Sequence, residues 1–595
     1  MPAETLLPSS AVSPTTDVVG YEVRVDGTAI AGTFKVLALT VREAINKIPS
    51  AQITLVDGSA SDMNFEGSDT GQFKAGRKIE ILIGYRSQLE KIFTGIIISN
   101  THKVNTRGCE MFVECRDERI KMTITKSGKN YTQITDADVI NQLLQTYGLS
   151  DAERTDNSAG VTHEQLVQWD VTDWDFMISR VDASDEISFI HNGAMTIKKP
   201  DWSEAVKLTL THGLNMLEFN AEVDSRIQTQ DVETISWDYT DQKIRKTTGN
   251  DPDGSGEKKD PEDDSSHSVK EVIDDIAKVL DKPFLIRAAY LDEDAQQKIT
   301  DSKKMRQTLD SVRGKVKYFG SVSVLPTDFI ELKGVGNLFN GKAFVSAIQH
   351  DYADGSWTTE ASLGLDDRFF AEHTNPHHPA SASAQVSNVK GLHTGIVTEI
   401  TDDTGQYRVK IRLPLVDEND DGVYARVATL DAGNNRGTFY RPEQNDEVLV
   451  GFMNGDPRNP VILGMLHSSE MAAPLEPQSS NDLKGFVSRS GIKMLYDDGK
   501  KKFSLETPGN RLIELDDDAG KITIQDPYGN KIVMEQSGIT IEAAQDMNLK
   551  AGKSISMSAP SISIKADATM EVEGAKTTVK SSAITEISGS MVKIN

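Results

Sequence analysis

The 595-residue chain has only two cysteines, Cys109 and Cys115, which rules out a disulfide framework. Their spacing of six puts both on one face if they lie on a strand, and buried thiols rather than a redox pair are expected. No run approaches the roughly 20 apolar residues of a membrane span. The first residues, MPAETLLPSSAVSPTTD, carry neither a basic nor an apolar region, so no secretory signal is read there. Synthesis and folding in the cytoplasm are expected, with any export by another route. Basic residues number 64 against 90 acidic ones, a formal charge of −26. That excess argues against broad binding to nucleic-acid phosphates or anionic lipid surfaces. No complete G-x-x-x-x-G-K-[ST], H-E-x-x-H or G-x-S-x-G motif occurs.

Most is missing from the last 67 residues, 529–595, which contain no Phe, Trp, Tyr, Cys or His. What is there is regular. Apolar pairs separated by one residue recur: Ile539 with Ile541, Met547 with Leu549, Ile555 with Met557, Ile562 with Ile564 and Met570 with Val572. Their first members step by 8, 8, 7 and 8 residues, with Asp546, Gly552, Pro560, Asp567 and Gly574 between them. Alternation within each pair indicates short strands, and the punctuation indicates tight turns. One such strand has too little apolar surface for a core and leaves its edges unpaired. Several identical chains wound about one axis, three being the natural number, would bury these aliphatic side chains centrally. A disordered low-complexity tail is the alternative, and the regular pairs argue against it. Residues 531–595 carry seven Lys and seven Asp or Glu, so the −26 lies wholly upstream.

Five strand-like runs precede this repeat: 393–400, 406–414, 422–430, 446–454 and 459–466. Turns rich in Gly, Asp and Asn separate them, and five short strands in about 75 residues suit an OB-like barrel. Few aromatic and basic positions argue against oligonucleotide binding. The run NDEVLVGFMNGDPRNPVILGMLHSS (445–469) closely resembles the end of the OB domain in VgrG proteins, the Rhs-element Vgr family. That family resembles a fusion of a myophage tail hub with its cell-puncturing spike.

The front half is read as mostly β with inserted helices. Strands are expected at 21–27, 34–43, 50–57, 78–85 and 91–99. Thr135-x-x-Asp138 opens a helix ended by Gly148; Thr172-x-x-Asp175 opens a second; 292–312 forms a third, ending before Gly314. The stretch 168–181, with Trp174 and Phe176, resembles the hub region of VgrG proteins, and plain packing is the expected role of both rings.

The resemblance implies a mainly β homotrimer: a hub of β-barrel-like subdomains with inserted helices, an OB-fold barrel and an intertwined triple-stranded β-helical needle. The expected divisions are an N-terminal segment 1–17, a tail-hub-like domain 18–371, a linker 372–390, the OB domain 391–468, a linker 469–483 and the needle 484–595. The needle core is assigned to Ile539, Ile541, Met547, Leu549, Ile555, Met557, Ile562, Ile564, Met570 and Val572. Met591, Val592, Ile594 and Asn595 would form a blunt platform for a PAAR-type tip protein. Inner-tube and baseplate proteins and effector cargo are the other implied partners, and the target membrane would be crossed mechanically. The machine would be a type VI secretion system, an extracellular injection particle or a phage tail, assembled in the bacterial cytoplasm.

Candidate chemical sites fare poorly. Asp417, Asn419, Asp421 and Gly422 match half of an EF-hand loop, but Ala428 stands where its bidentate Glu belongs. His373, His377 and His378 have metal-like spacing without a frame to fix them. The segment 251–254 (DPDG), within the acidic stretch 250–266, reads as an exposed loop, and 336–343 (GNLFNGKA) as a β turn. No catalytic, cofactor or metal residue is assigned. The 15–20 residues between Leu466 and 484, and the end of the repeat at Asn595, leave no expected room for a catalytic domain. The alternatives are a trimeric fibre or adhesin, which needs a receptor-binding head and export signals, and a cell-wall hydrolase.

Overall fold

A computed structural model describes residues 18–594 outside 59–63, 107, 156–159, 224–228, 230, 239–242, 256–281, 289–290, 374–385, 387 and 418. The expected N-terminal segment, His377, His378, Asn595 and most of the acidic stretch therefore lie outside the described residues. The chain forms two compact units, Met1–Met471 and Ala472–Asn595.

In the first unit, two sequence-distant groups of strands share one large sheet. Val19–Val25, Lys35–Ala44, Ser50–Val56, Lys78–Tyr85, Gln88–Asn105 and Gly108–Arg116 form one half. Met216–Val223, Val312–Phe319, Gly341–Ala353 and Ser356–Leu363 form the other. The halves join where Lys35–Ala44 pairs antiparallel with Gly341–Ala353. Each half has its own apolar core, one around Ile53, Ile81 and Val113, the other around Val316, Ile330 and Ile348. Both cysteines fall on strand Gly108–Arg116, but only Cys115 is buried. Cys109, one residue from the strand's start, is half-buried, which corrects its expected burial.

The helices form as their caps dictate. Thr135 Oγ1 accepts from the Asp138 amide and caps helix Asp136–Thr146, whose Val139, Ile140, Leu143 and Leu144 face the core. Gly148, at φ +69°, supplies the left-handed residue that ends it. Thr172 caps helix Asp173–Ala183 in the same way, and Trp174 and Phe176 pack with Met122, Tyr131 and Leu166. The third helix, Glu293–Asp310, is buried along most of its length despite its polar sequence. Gln296 bonds Ser236 and the Thr234 carbonyl, Thr300 bonds Thr234, and Lys303 and Arg306 pair with Asp367 and Asp182.

A closed five-stranded barrel follows: His393–Glu399, Val409–Arg412, Val423–Val427, Glu447–Phe452 and Pro460–Met465. Its second strand starts later than expected, because Tyr407 sits at φ +56° and is exposed. Gly422 enters the third strand at φ +97°, where a Cβ would stand 2.1 Å from the Ile411 carbonyl oxygen, so only glycine fits.

The second unit is a seven-stranded antiparallel meander: Leu483–Val487, Lys493–Asp497, Lys502–Glu506, Leu512–Asp516, Lys521–Gln525, Lys531–Glu535 and Gly538–Glu542. Beyond Glu542 the described residues form no ladder within the chain. The strands expected there would pair between chains. Met547 and Leu549, Ile555 and Met557, Ile562 and Ile564, and Met570 and Val572 lie outside any strand, because a single chain offers them no partner to pair with.

Candidate functional site

The meander's register turns scattered apolar residues into two rows. Across the strands, Tyr496, Phe503, Leu515, Ile522, Met534 and Ile539 stand opposite one another in sequence, headed by Lys484. Two residues away along each strand, Phe486, Met494, Leu505, Ile513, Ile524, Ile532 and Ile541 form a second row on the same face. The rows run across seven strands, a stripe of about 29 Å at the usual strand spacing. The opposite face is mostly polar, with Leu483, Leu495, Leu512 and Val533 among its side chains. Asp497, Lys502, Asp516, Lys521 and Glu535 form a row of alternating charge, and Lys502 pairs with Glu514 at 2.5 Å.

The apolar face is bare in the single chain. Ile513 is 41% exposed, Ile524 42% and Ile541 56%. A contiguous apolar face of this length marks a surface that something outside the chain covers. The residues assigned to a needle core are not a core within one chain. Ile539, Met547, Leu549, Ile555, Met557, Ile562, Ile564, Met570 and Val572 are all exposed in the single chain; the burial expected for them is between chains. Among the described residues no other segment packs over them, so any burial comes from outside the chain. Met591, Val592 and Ile594 are exposed as well. The step between pairs shortens from 9–10 residues at 494, 503, 513, 522 and 532 to 7–8 after 532, close to where the ladder within the chain stops. The sequence reading found the short-step pairs and missed the long-step ones, although the same alternation carries both.

The other candidate residues have ordinary occupations. The Asn419 amide bonds Asp417 Oδ1 in a turn between barrel strands. Among the described residues no group of three or more His, Cys, Asp or Glu is placed to hold a metal. His373 stands 3.8 Å from Asp366. Asp251 and Asp253 lie beside Lys304 and Lys199, at 3.6 and 4.0 Å. Residues 336–340 form a turn that leads into strand Gly341–Ala353.

The buried ionisable groups are used internally. Asp136 accepts from Arg180 Nε at 2.6 Å and Ser184 Oγ at 3.1 Å, and its Oδ2 lies 3.0 Å from His163 Nε2. Burial alone would raise this carboxyl, but Arg180 and His163 overcome it and hold it well below the usual range. A recess of about 150 Å³ lies between the barrel and strand Thr162–Thr172, and its arginines are committed. Arg408 pairs with Asp402 at 2.9 Å and Glu164 at 2.7 Å, and Arg458 with Asp456 at 2.7 Å.

The same strand ties hub to barrel, which the sequence reading did not find. Gln165 bonds the Tyr424 amide and the Arg458 carbonyl, Val167 joins the barrel's core, and Trp169 packs against His393 and Phe452. Leu166, pointing the other way, lies in the helical core.

Three family models cover most of the chain. One described as the Alg8 N-terminal domain matches residues 15–354. The type VI secretion system/phage-baseplate injector OB domain matches 393–467, and the phage baseplate V C-terminal trimerisation domain matches 502–595. The chain belongs to the VgrG spike family, its first half being an Alg8 N-terminal domain. Among VgrG relatives, the type VI secretion system spike protein VgrG1c of Pseudomonas aeruginosa is 29% identical over 154 residues, 23% of this chain and 21% of that protein. VgrG5 of the same organism is 33% identical over 143 residues, 22% of this chain and 18% of that protein. This VgrG-family chain thus matches about one fifth of the length of those curated relatives. A chain of the solved Francisella PdpA–VgrG complex, in its half-lidded form, superposes with a TM-score of 0.52 at 11% identity. The match covers 89% of this chain and 88% of that one, so the two share a fold.

Proposed function

We propose that this VgrG-family chain is the trimeric hub and spike of a contractile injection machine, working by mechanical delivery rather than catalysis. The observation that carries the proposal is the pair of apolar rows on one face of the meander, continued by the apolar pairs to Val572. Three such faces turned inward form a rod with a dry aliphatic spine, and chains wound about one axis supply one another's missing ladder partners. On this reading Leu549, Met557 and Ile564, with Met547, Ile555, Ile562, Met570 and Val572, reach burial only between chains. The alternating charges on the other face keep the rod's surface soluble and neutral.

The divisions are then a hub at 18–371, a barrel at 391–468 and a needle at 484–595. The two joined halves of the hub sheet support a pseudo-six-fold cap on the inner tube, with baseplate proteins around it. Met591, Val592, Ile594 and Asn595 would seat a PAAR-like tip protein, and effector cargo would travel with it. Assembly takes place in the bacterial cytoplasm, and contraction carries the spike outside. A trimer would bear about three times −26, so attraction to anionic membranes cannot drive its crossing. Thrust must come from the machine. The paired state of the buried acids, His163 and arginines supports a structural part over an enzyme. Mass in solution tests the proposal: a trimer near three times 65.2 kDa is required, and a stable monomer refutes it.

A further inference from the structure

The barrel's strand pairings fix which of its connections share an end. Strands 393–399 and 409–412 are antiparallel, as are 409–412 and 423–427, whereas 423–427 and 460–465 are parallel. The end at which 393–399 begins and 447–452 finishes is therefore the one against Trp169 of the hub. The opposite end holds the loop 400–408, the long connection 428–446 and Met465, where the barrel's last strand finishes.

Connection 428–446 is a built arm. It carries a two-residue-per-strand hairpin, Ala432–Gly433 against Arg436–Gly437, with Asn435 at φ +55° and an Asp431–Arg436 ion pair of 2.7 Å. Arg441 anchors its base by donating to the carbonyls of Ile400, Tyr407 and Arg408. The arm nevertheless presents Leu430 at 91% exposure and Phe439 at 77%, and Tyr407, on the loop at the same end, is 77% exposed. Among the described residues, nothing in this chain covers them.

We infer that the arm is a second contact between copies of this chain, separate from the needle, seating Leu430 and Phe439 on the neighbouring barrel. The occupant follows from continuity. The polypeptide leaves the barrel from this same end and runs on to the trimerisation match that starts at residue 502, so copies joined there bring their barrels into one assembly. In a three-fold ring each arm meets a different surface on the next copy, and the ring closes. A rigid arm loses little conformational freedom on docking.

The inference rests on the trimeric reading, and the test separates the two. In the full-length chain with Cys109→Ser, a Phe439→Cys variant is reacted with a maleimide, native and in urea; Leu430→Cys is the second probe. Mass is measured on the same material. Protection of both positions by about tenfold or more in a trimer supports the contact, because either side chain would be open in an isolated chain. A trimer in which both label as fast as unfolded chain overturns the contact alone. Protection that appears only on adding another protein also overturns it. A monomer mass overturns the contact together with the proposed function.

Discussion

Ile524 lies in the middle of the second apolar row, between Ile513 and Ile532. Replacing it with threonine keeps the β-branch and the strand preference, so the change reports burial rather than propensity. Within one chain 42% of the side chain is still exposed. Full burial of an isoleucine stabilises by about 1.5–3 kcal/mol, so covering the remainder contributes about 1 kcal/mol per chain. A hydroxyl left in the dry spine adds about 1–3 kcal/mol of desolvation cost. The sum is about 2–4 kcal/mol per chain, and symmetry raises it to about 6–12 kcal/mol per trimer. Lys521→Thr, on the opposite face across from Asp516 and Glu535, removes a half-buried charge whose attraction to them is worth about 0–1 kcal/mol. Sedimentation across a denaturant series would show Ile524→Thr dissociating at clearly lower denaturant than wild type, with Lys521→Thr close to wild type. Equal midpoints for both variants would refute the inward-facing spine, and a larger loss for Lys521→Thr would mean that the sheet is turned the other way.

Three further outcomes are expected. His350 is buried against Thr359 and Trp357, and burial, with a smaller repulsion from His191, lowers it to about 4. A histidine lowered on folding stabilises fully above its unfolded value near 6.5 and loses that contribution as pH falls toward 4, up to about 3 kcal/mol. His350→Gln should therefore flatten the fall in melting temperature between pH 6.5 and 4, and an unchanged slope would contradict the assignment. At the hub–barrel joint, Arg408→Ala removes the guanidinium from Asp402, whose carboxylate keeps its bonds from Thr404 and the residue-408 amide, and should cost about 1.5–3 kcal/mol, whereas Glu164→Ala, whose side chain is 43% exposed, should cost about 1 kcal/mol or less. Calorimetry would compare the two, and equal losses would disprove the ranking. Deleting 589–595 should abolish binding of a PAAR-like tip protein while leaving the trimer's mass otherwise unchanged. Undiminished binding would show that the tip is held elsewhere.

Much of this fold is written in local patterns. The caps at Thr135 and Thr172 placed their helices because a capping hydroxyl and its amide lie three residues apart. The barrel's five strands were visible because each is a short alternating run closed by Gly, Asp or Asn. The apolar pairs after Ile539 were visible because a step of 7–8 residues repeats. Burial of Leu549, Met557 and Ile564 between copies was an expectation from that same repeat, and within the single chain they stay exposed. Helix Glu293–Asp310 was legible as a helix but not as a buried one. Its polar side chains find partners, such as Thr234 and Asp182, that lie far away in sequence.

By itself, then, the sequence determined alternation, caps and repeat length, since these depend on neighbours within a few residues. Only the tertiary structure decided register and distant pairing. It set Ile513 against Ile524 so that pairs became rows, and joined Lys35–Ala44 to Gly341–Ala353 to make one sheet of two halves. It also gave strand Thr162–Thr172 two faces in two cores. Those choices are fixed by how much apolar surface each arrangement buries and by which backbone groups it leaves unpaired. Both quantities belong to the folded chain as a whole, and for the apolar rows beyond the barrel, to the assembly of its copies.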